Sequence, residues 1–97
     1  MDESNVRQKA QAHGAAMVAG DVNKAGGDLT QEAMAGAGAV MKEMPRQIDS
    51  AEITDVAAAG DGFTVLIRYS GEGKDVTVKS VWIDKDGDPK IAELSLA

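Results

Sequence analysis

The chain has 97 residues with 16 acidic and 10 basic side chains, a formal net charge of −6 and no cysteine. This charge argues against binding driven by nucleic-acid phosphates, and the lack of cysteine excludes disulfides, a thiol nucleophile and a cysteine-ligated metal. The longest unbroken apolar run, Ala15–Ala19, is far shorter than the ~20 residues of a membrane span, and the first residues lack the features of a signal peptide. We therefore expect a single domain over residues 1–97, located in the cytoplasm, with no nucleic-acid or membrane partner.

The first predicted element is a helix over residues 4–19. One apolar stripe recurs at helical spacing and consists of Val6, Ala10, His13 and Met17. Ser4 or Asp2 can cap the start of this helix, and Gly20 is the type of residue that ends a helix.

A second helix is predicted after a short, loosely patterned stretch. Asp28 is the expected N-cap, with Gln31 three residues later in a capping-box arrangement, and Pro45 ends the helix. Its apolar stripe consists of Leu29, Ala33, Ala37, Val40 and Met44, and it is widened by Met34 and Met41. Gly36 and Gly38 each cost this helix about 1 kcal/mol relative to alanine, but they also permit another backbone to approach closely.

From residue 48 onward the apolar pattern alternates with a period of two, which predicts strands. The four predicted strands are Ile48–Ala58, Phe63–Ser70, Val76–Ile83 and Ile91–Leu96. The connections between them are short and rich in Gly and Asp, so the strands should form an antiparallel meander. The expected fold is α+β, with two N-terminal helices packed on a curved four-stranded antiparallel sheet.

Both faces of this sheet are predicted to carry large apolar side chains. One face has Phe63, Val65, Ile67, Tyr69 and Trp82, and the other has Leu66, Val81, Ile83, Leu94 and Leu96. Two short helices can cover only one face of a four-stranded sheet. We therefore predict a homodimer that forms through the second face.

Short motifs in this chain resemble those of the nuclear transport factor 2-like superfamily, including its SnoaL-like and ketosteroid-isomerase-like branches. They are the Gly20-Asp21 break after the first helix, the second helix that ends before a proline, and the late hairpin Asp86–Leu94. The resemblance covers most of the chain, which is short for the group, so we expect it to lack the third helix and one or two strands of the usual cone. It implies a cone in which a curved sheet wraps around a helix. In active members an apolar cleft holds a small ligand and an acid or histidine transfers a proton, whereas other members only bind or dimerise.

His13 is the only histidine and is the first candidate for a functional side chain, as a general base or acid in a cleft. No partner acid can be assigned to it from the sequence, and Asp28 and Ser50 form no recognisable triad with it. Glu52 and Glu93 are the acids within predicted strands, and Glu93 could transfer a proton if it faced an apolar interior. Tyr69 could donate a hydrogen bond to a ligand oxygen.

Two other sequence patterns resemble binding motifs but do not meet the requirements of a calcium or a phosphate site. The acidic run from Asp84 to Asp88 fails as an EF-hand loop, because position 6 is Pro89 and position 12 is Ser95. The Gly-containing turns join strands to strands and open no helix, so they do not bind phosphate. We expect neither a metal nor a cofactor.

The leading hypothesis is a non-catalytic dimeric module that binds a small apolar ligand between helices and sheet. The expected lining is Met17, Met41, Ile67, Tyr69 and Trp82, with His13 as the polar contact. The first alternative is a small isomerase, hydrolase or cyclase in which His13 or Glu93 transfers a proton and Tyr69 donates a hydrogen bond. It requires a closed cavity of at least ~300 Å³. The second is a structural interaction domain whose apolar sheet face recruits a different protein.

Overall fold

The computed structural model describes all 97 residues and has three helices followed by four strands. The elements are α1 (Glu3–Ala19), α2 (Val22–Gly27), α3 (Gln31–Glu43), β1 (Ser50–Ala59), β2 (Gly62–Gly71), β3 (Lys74–Lys85) and β4 (Asp88–Leu96). The strands form one antiparallel sheet in the order β1-β2-β3-β4. The α+β class and the meander are confirmed, whereas the expectation of only two helices is wrong.

The first helix begins and ends at the residues that the sequence favours. The carboxylate of Asp2 accepts a hydrogen bond from the backbone N–H of Asn5 at 2.8 Å, which satisfies one of the free amides of the first turn. Gly20 ends the helix in the left-handed conformation, with φ 75°. The buried face includes Val6, Ala10 and His13, as the stripe predicts.

The start of the next long helix differs from the prediction. Thr30 is the N-cap of α3, and its hydroxyl accepts from the backbone N–H of Ala33 at 3.3 Å. Asp28 is instead the C-cap of α2, a short helix whose N-cap is Asp21. The backbone of residues 28–30 pairs with β4, because Ile91 N–H donates to Asp28 C=O at 2.7 Å and Thr30 N–H donates to Ile91 C=O at 2.8 Å. These bonds form an isolated parallel bridge between Leu29 and Ile91, and Thr30 is extended, so α3 begins only after this bridge.

The packing of α3 on β4 depends on Gly36. A Cβ atom at this position would lie less than 3.0 Å from the carbonyl oxygen of Leu94. Cβ atoms in proteins essentially never come this close to another atom. A Cβ atom at Gly38 would meet open space. The close backbone approach therefore occurs at the first of the two glycines only. The helix ends at Glu43, before Pro45, as predicted.

The register of β4 corrects the assignment of two leucines to sheet faces. Trp82 lies opposite Ile91, but Val81 lies opposite Glu93, so β4 contains a bulge between these pairs. The extra residue reverses the alternation, and Leu94 lies opposite Ser80 on the face that the helices cover. Leu96 lies opposite Val78 on that same face. A strict alternation in β4 predicts both leucines on the opposite face, together with Leu66, Val81 and Ile83. This prediction is wrong.

We call the face of the sheet that no helix covers the outer face. It has a small apolar centre that is surrounded by charged side chains. Its large apolar side chains are half-buried and are Leu66, Val81 and Ile83. The charged side chains of this face include the ion pair of Arg68 with Glu52, whose Nη2 and Oε1 atoms are 2.7 Å apart. The outer face is therefore less apolar than the sequence pattern predicts.

Candidate functional site

A cavity of about 250 Å³ lies between the three helices and the sheet. Four of the five methionines line it, and they are Met17, Met34, Met41 and Met44. Val22, Met34 and Met41 are 66%, 54% and 47% exposed, so these side chains form the mouth of the cavity. The cavity thus opens to solvent between α2 and α3 and has an apolar, adaptable wall.

Most of the lining expected from the sequence is present. Met17, Met41, Ile67 and Tyr69 line the cavity, and His13 is among its few polar groups. Trp82 does not line it. The volume is below the ~300 Å³ at which ligand pockets usually begin.

Trp82 lies behind the wall of the cavity rather than in it. Its side chain is completely buried, and its indole N–H donates to the hydroxyl of Ser80 at 3.0 Å. Ser80 lines the cavity and donates in turn to the backbone carbonyl of Val65 at 3.2 Å. The Trp82 ring also meets the imidazole of His13 edge to face, with 6.2 Å between the ring centroids. Trp82 therefore supports two polar lining residues without reaching the cavity itself.

His13 has a buried carboxylate partner that the sequence does not reveal. Its Nδ1 atom lies 3.1 Å from Oδ2 of Asp28. An ionised carboxylate can only accept hydrogen bonds, so the imidazole must carry its proton on Nδ1 to make this bond. The other nitrogen, Nε2, makes no hydrogen bond to the protein. In the neutral ring it is a hydrogen-bond acceptor.

The protonation state of Asp28 follows from its surroundings. Burial by itself raises the pKa of this carboxyl, but the hydrogen bond and charge of His13, together with Lys9 and Lys24, lower the pKa overall. The Nζ atom of Lys9 lies 3.7 Å from Oδ1 of Asp28 and 3.5 Å from Asp88. Asp28 is therefore ionised at neutral pH and acts as a fixed acceptor for the imidazole.

Tyr69 presents a polar atom that has no partner in the protein. The residue is 2% exposed and lines the cavity, and its hydroxyl makes no hydrogen bond to another protein group. Burial raises the pKa of Tyr69, so the phenol is neutral. No polar side-chain atom is both fully enclosed and unpartnered. The hydroxyl of Tyr69 and Nε2 of His13 therefore each adjoin open space, and the cavity is the space that both residues line.

The acids that the sequence places in strands lie away from this cavity. Glu93 is exposed and lies opposite Val81 on the outer face of the sheet. Glu52 is on the same face, paired with Arg68. The structure therefore brings His13 and Tyr69 to one cavity and leaves both strand glutamates on the other side of the sheet.

Comparison of this chain with protein-family models, curated proteins and solved structures finds no match. No group of three or more His, Cys, Asp or Glu side chains is arranged to hold a metal ion. None of the helices combines the length and the hydropathy that crossing a membrane requires.

Proposed function

We propose that this protein is a binding module that holds a small, mostly apolar ligand between its helices and its sheet. The observation that carries the proposal is the pair of partnerless polar atoms, Nε2 of His13 and the hydroxyl of Tyr69, on buried residues in an otherwise apolar cavity. Neither atom is fully enclosed, so each is accessible to a hydrogen-bonding partner that enters the cavity. A ligand with a polar group would satisfy these atoms.

The mouth of the cavity supports the same proposal. Met34, Met41 and Val22 are exposed large apolar side chains at one opening. Methionine adapts to ligands of irregular shape because its side chain is unbranched and polarisable. A bound ligand would cover these side chains and remove their apolar surface from water.

The methionine methyl groups offer a direct test. With ¹³C-methyl methionine, an apolar probe such as propylbenzene should shift the NMR signals of Met17, Met34, Met41 and Met44. Met1 packs against the core but does not line the cavity, so its signal should stay in place. A ligand that binds the folded state should also raise the thermal midpoint.

A blocking variant and a matched control make this test specific. Ala37 lines the cavity and is half-buried, so Ala37→Leu should fill the space and abolish the shifts. Ala57 is exposed on β1, where it lies opposite Thr64, and Ala57→Leu should leave the shifts unchanged. If no apolar or mostly apolar probe of this size moved a cavity methionine, or if propylbenzene moved them equally in the Ala37→Leu variant, the proposal would be wrong.

A second part of the proposal is a homodimer that forms through the outer face. The half-buried Leu66, Val81 and Ile83 have no helix over them, and a second copy would cover them. Charges of both signs surround this centre, so two copies related by a two-fold axis can place Arg68 of one near an acid of the other. Val81→Glu should then yield a monomer in light scattering, and a wild-type monomer at tens of micromolar would contradict the dimer. Capture of a different protein by this face would favour the interaction-domain alternative.

The pair of His13 and Asp28 is the observation that favours an enzyme as a second candidate function, although the cavity is open and, at about 250 Å³, smaller than the closed cavity of ~300 Å³ expected for this alternative. A histidine whose Nδ1–H is held by a carboxylate can take a proton at Nε2, and Tyr69 could stabilise an oxyanion in the same cavity. The structural kinship with the nuclear transport factor 2-like cone stays a prediction, supported by helices on one face of a bulged sheet. If a substrate is found, His13→Ala should abolish turnover, whereas it should only weaken binding if the module is not catalytic.

A further inference from the structure

We propose that the ligand of this cavity is an uncharged alcohol of about ten non-hydrogen atoms, whose hydroxyl group donates a hydrogen bond to Nε2 of His13. This inference rests on the proposed function and adds the chemical class of the ligand. Three properties of the cavity lead to it: its volume, the charge of its lining and the direction of its hydrogen bonds.

The volume sets the size. An apolar cavity of ~150 Å³ accommodates benzene, which has six non-hydrogen atoms. By proportion, the 250 Å³ of this cavity accommodates about ten. The open mouth allows a small excess, because a longer ligand can extend past the exposed Met34 and Met41.

The charge of the lining excludes ionised ligands. No Lys, Arg, Asp or Glu side chain lines the cavity. An anion would meet no cation there and would approach a chain of net charge −6. A cation would meet no carboxylate in the lining, since Asp28 lies behind His13 and is already paired with it. An ion that enters an apolar site without a partner loses its hydration without compensation, so a neutral ligand is favoured.

The direction of the hydrogen bonds selects a donor. Asp28 accepts from Nδ1–H of His13, which leaves the neutral ring with a lone pair on Nε2. A ligand must therefore donate a proton to satisfy this atom. Ethers and ketones only accept, whereas a hydroxyl group donates to Nε2 and keeps lone pairs for the hydroxyl of Tyr69. An alcohol is the simplest neutral ligand that meets these conditions.

A series of probes on one skeleton tests the class. The probes are 3-phenylpropan-1-ol, its methyl ether, 3-phenylpropanoate and 3-phenylpropylammonium, and each is titrated at pH 8.5, where histidine side chains are ordinarily neutral. The alcohol should bind about three- to tenfold more tightly than the ether, as expected for one hydrogen bond. Both charged probes should bind more weakly than the alcohol.

A variant assigns the preference to His13. In His13→Phe the alcohol should lose its advantage over the ether, while Ala57→Leu, at an exposed position outside the cavity, should leave the ratio unchanged. The ratio in the wild-type protein keeps the inference testable if His13→Phe does not fold. Equal binding of alcohol and ether, or tighter binding of either ion, would overturn it.

The two proposals fail in different ways. If propylbenzene shifts the cavity methionines but the alcohol shows no preference, the inference about the ligand class is wrong and the binding module stands. If neither propylbenzene nor any probe of the series shifts them, the binding module itself is wrong, and the ligand class falls with it.

Discussion

The two glycines in α3 should respond to alanine with opposite signs. Gly38→Ala adds a methyl group in open space, so the variant gains about 1 kcal/mol of stability from helix propensity alone. Gly36→Ala gains the same propensity, but its Cβ would overlap the carbonyl oxygen of Leu94. Since backbone atoms cannot rotate away, α3 must move off β4, and overpacking of this kind costs typically ~1–3 kcal/mol.

Urea denaturation of the two variants and the wild type measures this difference directly. We expect Gly38→Ala to be more stable than the wild type, and Gly36→Ala to be less stable than Gly38→Ala by about 1–3 kcal/mol. Leu94 and the helix both border the cavity, so Gly36→Ala should also weaken binding of propylbenzene. Equal stability of the two alanine variants would refute the close contact between α3 and β4.

Three further variants test the site and the helix start. Tyr69→Phe should change the free energy of unfolding by less than about 0.5 kcal/mol, because the hydroxyl has no protein partner to lose; a loss above about 1 kcal/mol would reveal a hidden hydrogen bond. Thr30→Ala should cost about 1 kcal/mol in urea denaturation through loss of the α3 cap, and a neutral effect would contradict this cap. Asp28 has a folded-state pKa below its ordinary value of 3.8, so the stability that it contributes is present above that value and is lost as the pH falls through the folded-state pKa. Asp28→Asn should therefore be less stable at pH 7 and lose less stability in thermal melts below about pH 4; parallel acid profiles of the two proteins would contradict the ionised pair.

The sequence predicts those parts of the fold that local signals determine. The limits of α1 follow from a capping carboxylate and a glycine, and the end of α3 follows from Pro45. The alternation in β2 and β3 is regular enough to place Ile67 and Tyr69 on the covered face. In β4 the bulge adds one residue, and nothing in a period-two pattern indicates where such a residue lies.

The site was predictable in its apolar part and not in its polar part. Met17 lies on the apolar stripe of α1 and Met41 on that of α3. Their common cavity therefore follows from the packing of these two helices on the sheet. The pair of His13 and Asp28 joins residues 15 positions apart on different elements, and no periodicity connects them. The alternation that puts Trp82 on the same face as Ile67 predicts it in the cavity, but its bond to Ser80 holds it behind the wall.

The segment 28–30 explains why local pattern misleads at this point of the chain. An aspartate followed by a Gln three residues later is typical of a capping box, and an isolated helix could start there. In the folded protein the backbone of this segment bonds to Ile91 at the edge of the sheet, and this pairing points the Asp28 carboxylate toward His13. The N-cap of α3 is therefore Thr30, which is two residues later and is also buried. A tertiary contact with β4 thus sets both the start of α3 and the proton position on His13, so these two features should change together when this contact is broken.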